Sequence, residues 1–179
     1  MLKNLFRSRE RTRPGLALYE AAVAQARQPG FYRDLGVTDQ IDARFELYTL
    51  HVLLLVMRLR EEPAPNALAG AEAGQDLFDV YVSALDNSLR ELGVHDVTMA
   101  KKMRKLGEAL YGRMTAYEPA IREEDAATLA AGLARNVYEN PEAGIAQGLA
   151  AYALAARARL AAQPMETVLT APQWPEIAA

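Results

Sequence analysis

The side chains that could support chemistry are few in this sequence. Its two histidines are His51, within an apolar stretch, and His95, in the segment GVHDVT. Neither has the HExxH or ExxH spacing that holds a metal. Cysteine is absent, which removes thiolate catalysis, disulfides and cysteine-ligated zinc or iron–sulfur clusters from consideration. The sequence therefore predicts no metal site.

Motifs for a nucleophile or a phosphate group are also missing. The serines, Ser8, Ser83 and Ser88, do not lie in a GxSxG elbow, and no glycine-rich phosphate loop occurs. His51 could ligate haem, but a single histidine on a buried helix is more often a hydrogen-bonded core residue. We therefore expect no catalytic residues, no cofactor and no enzymatic activity.

Positive charge is concentrated at the start of the chain. Residues 1–14 carry five basic residues and one acidic residue, a net charge of +4. They lack the apolar core of a secretory signal. Leu2, Leu5 and Phe6 beside the arginines could rest on an anionic membrane surface. The alternative is a frayed soluble tail.

A second basic cluster lies within a predicted helix. It could contact lipid headgroups or RNA phosphates, or it could be only a solvated helix face. No stacking aromatic residues alternate with these side chains, which weakens the case for nucleic acid, and we expect no DNA partner. The cluster comprises Lys101, Lys102, Arg104 and Lys105, with Arg113 on a flank.

The helix that must organise these residues covers positions 38–60. Between residues 47 and 59 only Thr49, His51 and Arg58 interrupt the apolar side chains. No wide polar stripe remains, which is typical of a helix covered on most sides. The apolar run is shorter than the roughly 20 residues that cross a bilayer and has charged residues at both ends. We predict a central core helix.

The ends of this helix carry recognisable signals. Thr38 or Asp39 is predicted to cap its first turn, and Pro63 prevents its continuation. Asp42 and Glu46 are four residues apart and repel each other unless a basic group lies nearby. The sequence therefore implies a neighbouring basic group.

The rest of the pattern predicts an all-α, single-domain bundle of about six principal helices around the apolar central helix. The 179 residues are 51% hydrophobic and 24% charged, with a net charge of −3, which is ordinary for one globular domain. We predict a basic arm at 1–15, a helical domain at 16–162 and a proline-containing tail at 163–179. Residues 61–74, rich in Pro, Ala and Gly, are predicted to form a mobile loop, and Trp174 to pin an extended tail.

Two long segments resemble a known family in the order and spacing of their residues. They are LYEAAVAQARQPGFYRDLGVTDQIDARFELYTLHVLLLVMRLR and GQDLFDVYVSALDNSLRELGVHDVTMAKKMRKLGEALYGR. Over roughly residues 16–140 the chain is similar to the ubiquinol-cytochrome c chaperone family, and its short N-terminus resembles that of bacterial members. Departures include Thr38 where the family often has proline and Ala43 where it often has glycine.

The resemblance implies an all-helical assembly factor for respiratory complex III that binds newly made cytochrome b or assembly intermediates. Such a chaperone needs an apolar surface to shield membrane helices. Contact with the ribosome, known for mitochondrial members, is left open because no ribosome-specific extension is evident. The client-binding residues that we expect are Phe31, Tyr32, Arg44, Phe45, Tyr48, Phe78 and Tyr81, with the basic cluster contacting polar loops or headgroups.

Two other functions are compatible with the residues. In the first, Asp42, Arg44 and His51 point into a closed polar cavity of a small-molecule-binding or enzymatic domain. In the second, the chain is a peripheral membrane or structural protein unrelated to cytochrome b. For the chaperone we expect the bacterial cytoplasm, with peripheral contact at an anionic inner membrane, or the mitochondrial matrix in a eukaryotic source.

Overall fold

A computed structural model describes residues 14–91 and 96–178. The predicted basic arm therefore lies almost entirely outside the described residues, as does His95. The described residues form an all-helical domain, as predicted, and six of its helices have 12 or more residues. The helices are α1 (Gly15–Ala26), α2 (Pro29–Arg33), α3 (Ile41–Arg60), α4 (Ala67–Glu91), α5 (Asp96–Arg122), α6 (Ala126–Val137), α7 (Gln147–Ala161) and α8 (Met165–Thr170), with a 3-10 turn at Ala143–Ala146.

Helix α3 is the centre of the domain. It contacts α1, α4, α5, α6 and α7, and Tyr48 alone between residues 47 and 59 is not buried. This near-complete burial confirms the predicted central helix. Among residues 14–91 and 96–178, none of the helices combines the length and the apolar character that crossing a membrane requires.

The predicted cap of α3 is wrong. The helix begins at Ile41, and its N-cap residue, Gln40, makes no side-chain capping hydrogen bond. The Asp39 carboxylate instead accepts a hydrogen bond from the Arg44 guanidinium, with Oδ1 and Nε 2.5 Å apart. Asp42 still places negative charge in the first turn, where it favours the positive end of the helix dipole.

The predicted loop at 61–74 is also wrong over its second half, because α4 already begins at Ala67. Gly70 and Gly74 are four residues apart and both face α3. A Cβ atom at Gly70 would lie 2.3 Å from the carbonyl oxygen of Leu59, whereas one at Gly74 would come no closer than 3.6 Å to any atom of Leu59. The small residues therefore belong to a helix that packs backbone against backbone on α3.

The tail is helical at first and extended afterwards. Helix α8 occupies Met165–Thr170, so only the part that follows is an extended segment. We call residues 171–178 the C-terminal strap. Trp174 in this strap packs edge-to-face on the ring of His51, with ring centroids 5.1 Å apart.

The close approach of α4 to α3 predicts opposite effects for two Gly→Ala substitutions. Gly70→Ala places a methyl group against the Leu59 backbone and is expected to destabilise the fold by about 1–3 kcal/mol. Gly107→Ala meets no atom within 4 Å in the middle of α5 and is expected to stabilise it by about 1 kcal/mol. Urea unfolding of the two variants measures both effects, and a stabilising Gly70→Ala would contradict the packing.

Candidate functional site

His51 is a hydrogen-bonded core residue. Its Nδ1 atom lies 2.7 Å from the Leu47 carbonyl oxygen and its Nε2 atom lies 2.9 Å from the Tyr152 hydroxyl. Because a carbonyl only accepts, Nδ1 carries the proton and Nε2 accepts from Tyr152. The Tyr152 hydroxyl in turn accepts from Gln25 Nε2, 3.0 Å away. Both ring nitrogens are therefore occupied, which does not favour a haem ligand.

Burial determines the charge state of this histidine. The side chain is completely buried, and desolvation lowers the pKa of His51 from 6.5 to about 4. The hydrogen bond to the Leu47 carbonyl opposes this shift in pKa but does not overcome it. His51 is therefore neutral at physiological pH, which agrees with the proton placement that the hydrogen bonds require.

The alternative polar cavity does not form. Asp42 and Arg44 are exposed at the start of α3, and Arg44 pairs with Asp39. His51 lies more than one helical turn further along, inside the core. The prediction that Asp42, Arg44 and His51 share a closed pocket is wrong, because the first two side chains extend into solvent.

Two of the predicted client-binding residues belong to the core. Phe31 is completely buried, and its ring packs edge-on against Tyr152 and His51, at centroid distances of 4.8 and 5.4 Å. Tyr81 is 1% exposed, and its hydroxyl lies 2.6 Å from that of Thr49. Neither side chain therefore lies on an open surface groove, because both are covered in this structure.

The other predicted aromatic residues are half-buried and lie on two sides of α3. Tyr32 donates a hydrogen bond to the Ala26 carbonyl, and Tyr48 accepts one from Arg27 Nε at 3.0 Å. Phe45 lies one turn before Tyr48 on the same helix. Phe78 lies apart from them and lines a small apolar pocket with residues of α3 and α5. Client binding by these residues stays a prediction.

The predicted basic cluster divides into an exposed part and a paired residue. Lys101, Lys102, Arg104 and Lys105 are exposed on α5, and Arg104 lies only loosely against Glu108, 3.9 Å away. Arg113 points towards the core instead and binds the Glu46 carboxylate with both Nε and Nη2. Arg113 is therefore excluded from the basic surface, because its guanidinium is already used.

Arg113, which pairs with Glu46, is the basic neighbour that the sequence implied. Glu46 is 5% exposed, and its Oε1 atom lies 2.5 Å from Arg113 Nη2. Desolvation raises the pKa of Glu46, the Arg113 guanidinium lowers it, and Asp42 adds a smaller upward shift. The pair joins α3 to α5 across 67 positions of sequence.

A charged cluster at the other end of α3 was missed from the sequence. Arg58 donates to the Leu160 and Gln163 carbonyls at the end of α7 and pairs with Glu62. Glu61 beside it pairs with Arg122 of α5 and Arg157 of α7. Sequence spacing gives no signal for these partners on α5 and α7, because they are far from α3 along the chain.

Three residues of this cluster, Glu61, Arg122 and Arg157, line an open cavity of about 330 Å³ between α5 and α7. Two acidic and two basic residues line it together with four apolar ones, so the formal charges of the lining cancel. Across the described residues, no group of three or more His, Asp or Glu side chains is placed to hold a metal ion. The lining residues are Glu61, Ile121, Arg122, Glu124, Leu154, Arg157, Ala158 and Ala161.

The chain is a helical bundle in which buried polar side chains join helices to one another. A protein-family profile described as ubiquinol-cytochrome C chaperone matches residues 33–174. A crystal structure of the Cbp3 homolog from Brucella abortus is similar over 99% of this chain and 98% of that chain, with 34% sequence identity and a TM-score of 0.82. No curated protein matches the chain.

The chain belongs to the ubiquinol-cytochrome c chaperone family. This confirms the family indicated by its sequence and supports the role of an assembly chaperone for respiratory complex III. The description of the family is that of a chaperone.

The neutral buried His51 predicts a specific dependence of stability on pH. The pKa of His51 is about 4 in the folded protein and 6.5 when unfolded, so below pH 6.5 the unfolded state binds the extra proton. Stability should therefore fall as the pH decreases from 6.5 to 4, and the His51 contribution to this loss should total about 3 kcal/mol. Urea unfolding across this range measures the loss.

The matched variant is His51→Gln, which keeps a polar side chain of similar size but has no titrating group. Its stability should fall less steeply over the same pH range, while the opposite contribution of Glu46, whose folded pKa is raised, is common to both proteins and cancels. A difference in stability between wild type and variant that is constant from pH 7 to pH 4 would refute the assignment.

Proposed function

We propose that this chain binds newly made cytochrome b and protects it until it is assembled into complex III. The supporting observation is the family membership, which extends over most of the chain and is accompanied by similarity of the whole fold. A client that is a membrane protein exposes apolar helices before assembly, and a chaperone must cover them with an apolar surface of its own.

The surface that we propose for this contact is the aromatic face of α2 and α3, formed by Tyr32, Ile41, Arg44, Phe45 and Tyr48. Ile41, Phe45 and Tyr48 are spaced four and three residues apart, which places them on one side of the helix. Ile41 is 70% exposed, and the three aromatic rings are half-buried. Arg44 at the edge supplies an exposed positive charge, partly neutralised by Asp39.

The exposed basic residues of α5 form a second part of the proposal. Lys101, Lys102 and Lys105 extend into solvent, so they are available to polar client loops or to the anionic headgroups of a nearby membrane. The contribution of such charges is electrostatic and should weaken with salt. Contact with apolar client helices on the aromatic face should persist.

Deletion of the gene in its own host tests the function. We expect loss of both assembled complex III and the cytochrome b signal in reduced-minus-oxidised difference spectra, because unprotected cytochrome b is degraded or aggregates. Expression of the wild-type chain should restore both signals. Unchanged cytochrome b and complex III in the deletion strain would contradict the proposed function.

A matched pair of variants tests the surface separately. Ile41→Glu and Leu68→Glu each replace an aliphatic residue at the start of a helix, and the two side chains are 70% and 73% exposed. Both should leave stability nearly unchanged, since a carboxylate is favourable near a helix N-terminus. Expressed in the deletion strain, Ile41→Glu should restore less than half of the wild-type cytochrome b signal, and Leu68→Glu should restore all of it. Equal restoration would exclude the aromatic face as the contact surface.

A further inference from the structure

The C-terminal strap lies across the domain without joining a regular element of structure. Its contacts with the domain come from a few points. The Gln163 side chain exchanges two hydrogen bonds with the backbone of Gln173, at 2.8 and 2.9 Å. Trp174 covers the His51 ring, and Ile177 lies against Gly30. Pro172 and Pro175 have no backbone N–H, so the strap has few donors for further bonds.

The strap lies on Gly30 and His51, and the rings of Phe31 and Tyr152 pack against His51. We call these four residues, which come from α2, α3 and α7, the apolar slot. The polar side-chain atoms of this slot have their hydrogen-bond partners within the helices and not in the strap. His51 bonds to Leu47 and Tyr152, and Tyr152 also bonds to Gln25. Removal of the strap therefore breaks no hydrogen bond of these side chains. The polar groups of the slot are thus satisfied without the strap, which contributes mainly apolar cover.

The chemistry of the slot determines what can occupy it. The rings of Phe31, His51 and Tyr152 meet edge-to-face or tilted at centroid distances of 4.8–5.6 Å. The slot has no charged side chain, because His51 is neutral there. Such a surface favours an aromatic ring and disfavours a charged group. Trp174 and Ile177 of the strap show which pattern fits the slot, namely an aromatic residue followed three positions later by an aliphatic one.

We propose that this slot is a second client-binding surface, which the strap closes in the free protein and which opens when an extended apolar client segment replaces Trp174 with its own aromatic side chain. The identity of the client rests on the proposed function, but the exchange itself does not. The exchange costs little free energy, because the incoming ring makes the apolar contacts that Trp174 loses.

A peptide with the sequence of residues 170–179 serves as the probe, since it carries the pattern that already fits. Its binding to the full-length chain is measured by fluorescence anisotropy. Trp174→Ala in the protein weakens the internal competitor and should increase peptide affinity at least tenfold. Glu176→Gln changes an exposed strap residue and should leave peptide affinity unchanged. A peptide with alanine in place of its tryptophan should not bind.

The absence of cysteine allows a direct test with the strap locked. A Cβ at position 30 would lie 3.0 Å from the Cβ of Ile177, just below the separation of about 3.5–4.5 Å found across disulfides, so a small outward shift of the strap brings the two atoms into bonding geometry. The double variant Gly30→Cys/Ile177→Cys should therefore form a disulfide on oxidation that holds the strap closed. The oxidised form should not bind the peptide, and reduction should restore binding. Peptide binding by the oxidised form equal to that of the reduced form overturns the proposal, as does a Trp174→Ala protein that binds no better than wild type.

The amount of cytochrome b that each protein binds and recovers from detergent-solubilised membranes separates this inference from the proposed function. With the strap proposal correct, recovery increases from the oxidised double variant to wild type to Trp174→Ala. Equal recovery with all three proteins overturns the slot as a client surface and leaves the proposed function intact. Recovery with none of them, together with the expected peptide results, contradicts the proposed function and supports the slot.

Discussion

The structure depends on the burial of most of α3, which leaves several of its polar side chains almost no access to water. Four of them, Glu46, Thr49, His51 and Arg58, are each 7% exposed or less. A buried polar group without a partner costs several kcal/mol, so each must find one on a neighbouring helix. The pairs are Glu46 with Arg113 on α5, Thr49 with Tyr81 on α4, His51 with Tyr152 on α7, and Arg58 with the Leu160 carbonyl at the end of α7.

These pairs explain how an otherwise apolar helix specifies one arrangement of its neighbours. Apolar packing alone tolerates alternative rotations and shifts of a helix, whereas a hydrogen bond is lost when its partners move by little more than an ångström. Each pair lies at a different height along α3 and connects it to α4, α5 or α7. The same pairs keep the slot under the C-terminal strap intact, because His51 and Tyr152 form part of it.

The sequence predicts the central helix well and its surroundings less well. Uninterrupted apolar residues predict burial directly, and the repulsion between Asp42 and Glu46 correctly implied a basic neighbour, although Arg113 could not be identified as that neighbour across 67 positions. The loop predicted at 61–74 failed because alanine and glycine serve both flexible loops and close helix packing. Composition does not distinguish the two, whereas the contact of Gly70 with α3 does.

The same limit applies to the candidate surface. Phe31 and Tyr32 are adjacent and similar in type, yet one is buried and the other is half-buried. Which of two neighbouring aromatic residues faces solvent depends on where α2 packs, and no local pattern contains that information. The family resemblance was more informative about function because it rests on the order of many segments.

The central claim, that α3 is positioned by its buried polar pairs, is tested most directly at Thr49 and Tyr81. The Thr49 hydroxyl donates to the Phe45 carbonyl, so it must accept from the Tyr81 hydroxyl, and both lie in the core. Urea unfolding of Thr49→Val, Tyr81→Phe and the double variant measures their coupling. We predict that Thr49→Val alone, which leaves the Tyr81 donor unpaired, costs about 1–3 kcal/mol, and that adding Tyr81→Phe recovers part of this loss. A double variant whose destabilisation equals the sum of the two single losses would contradict the account.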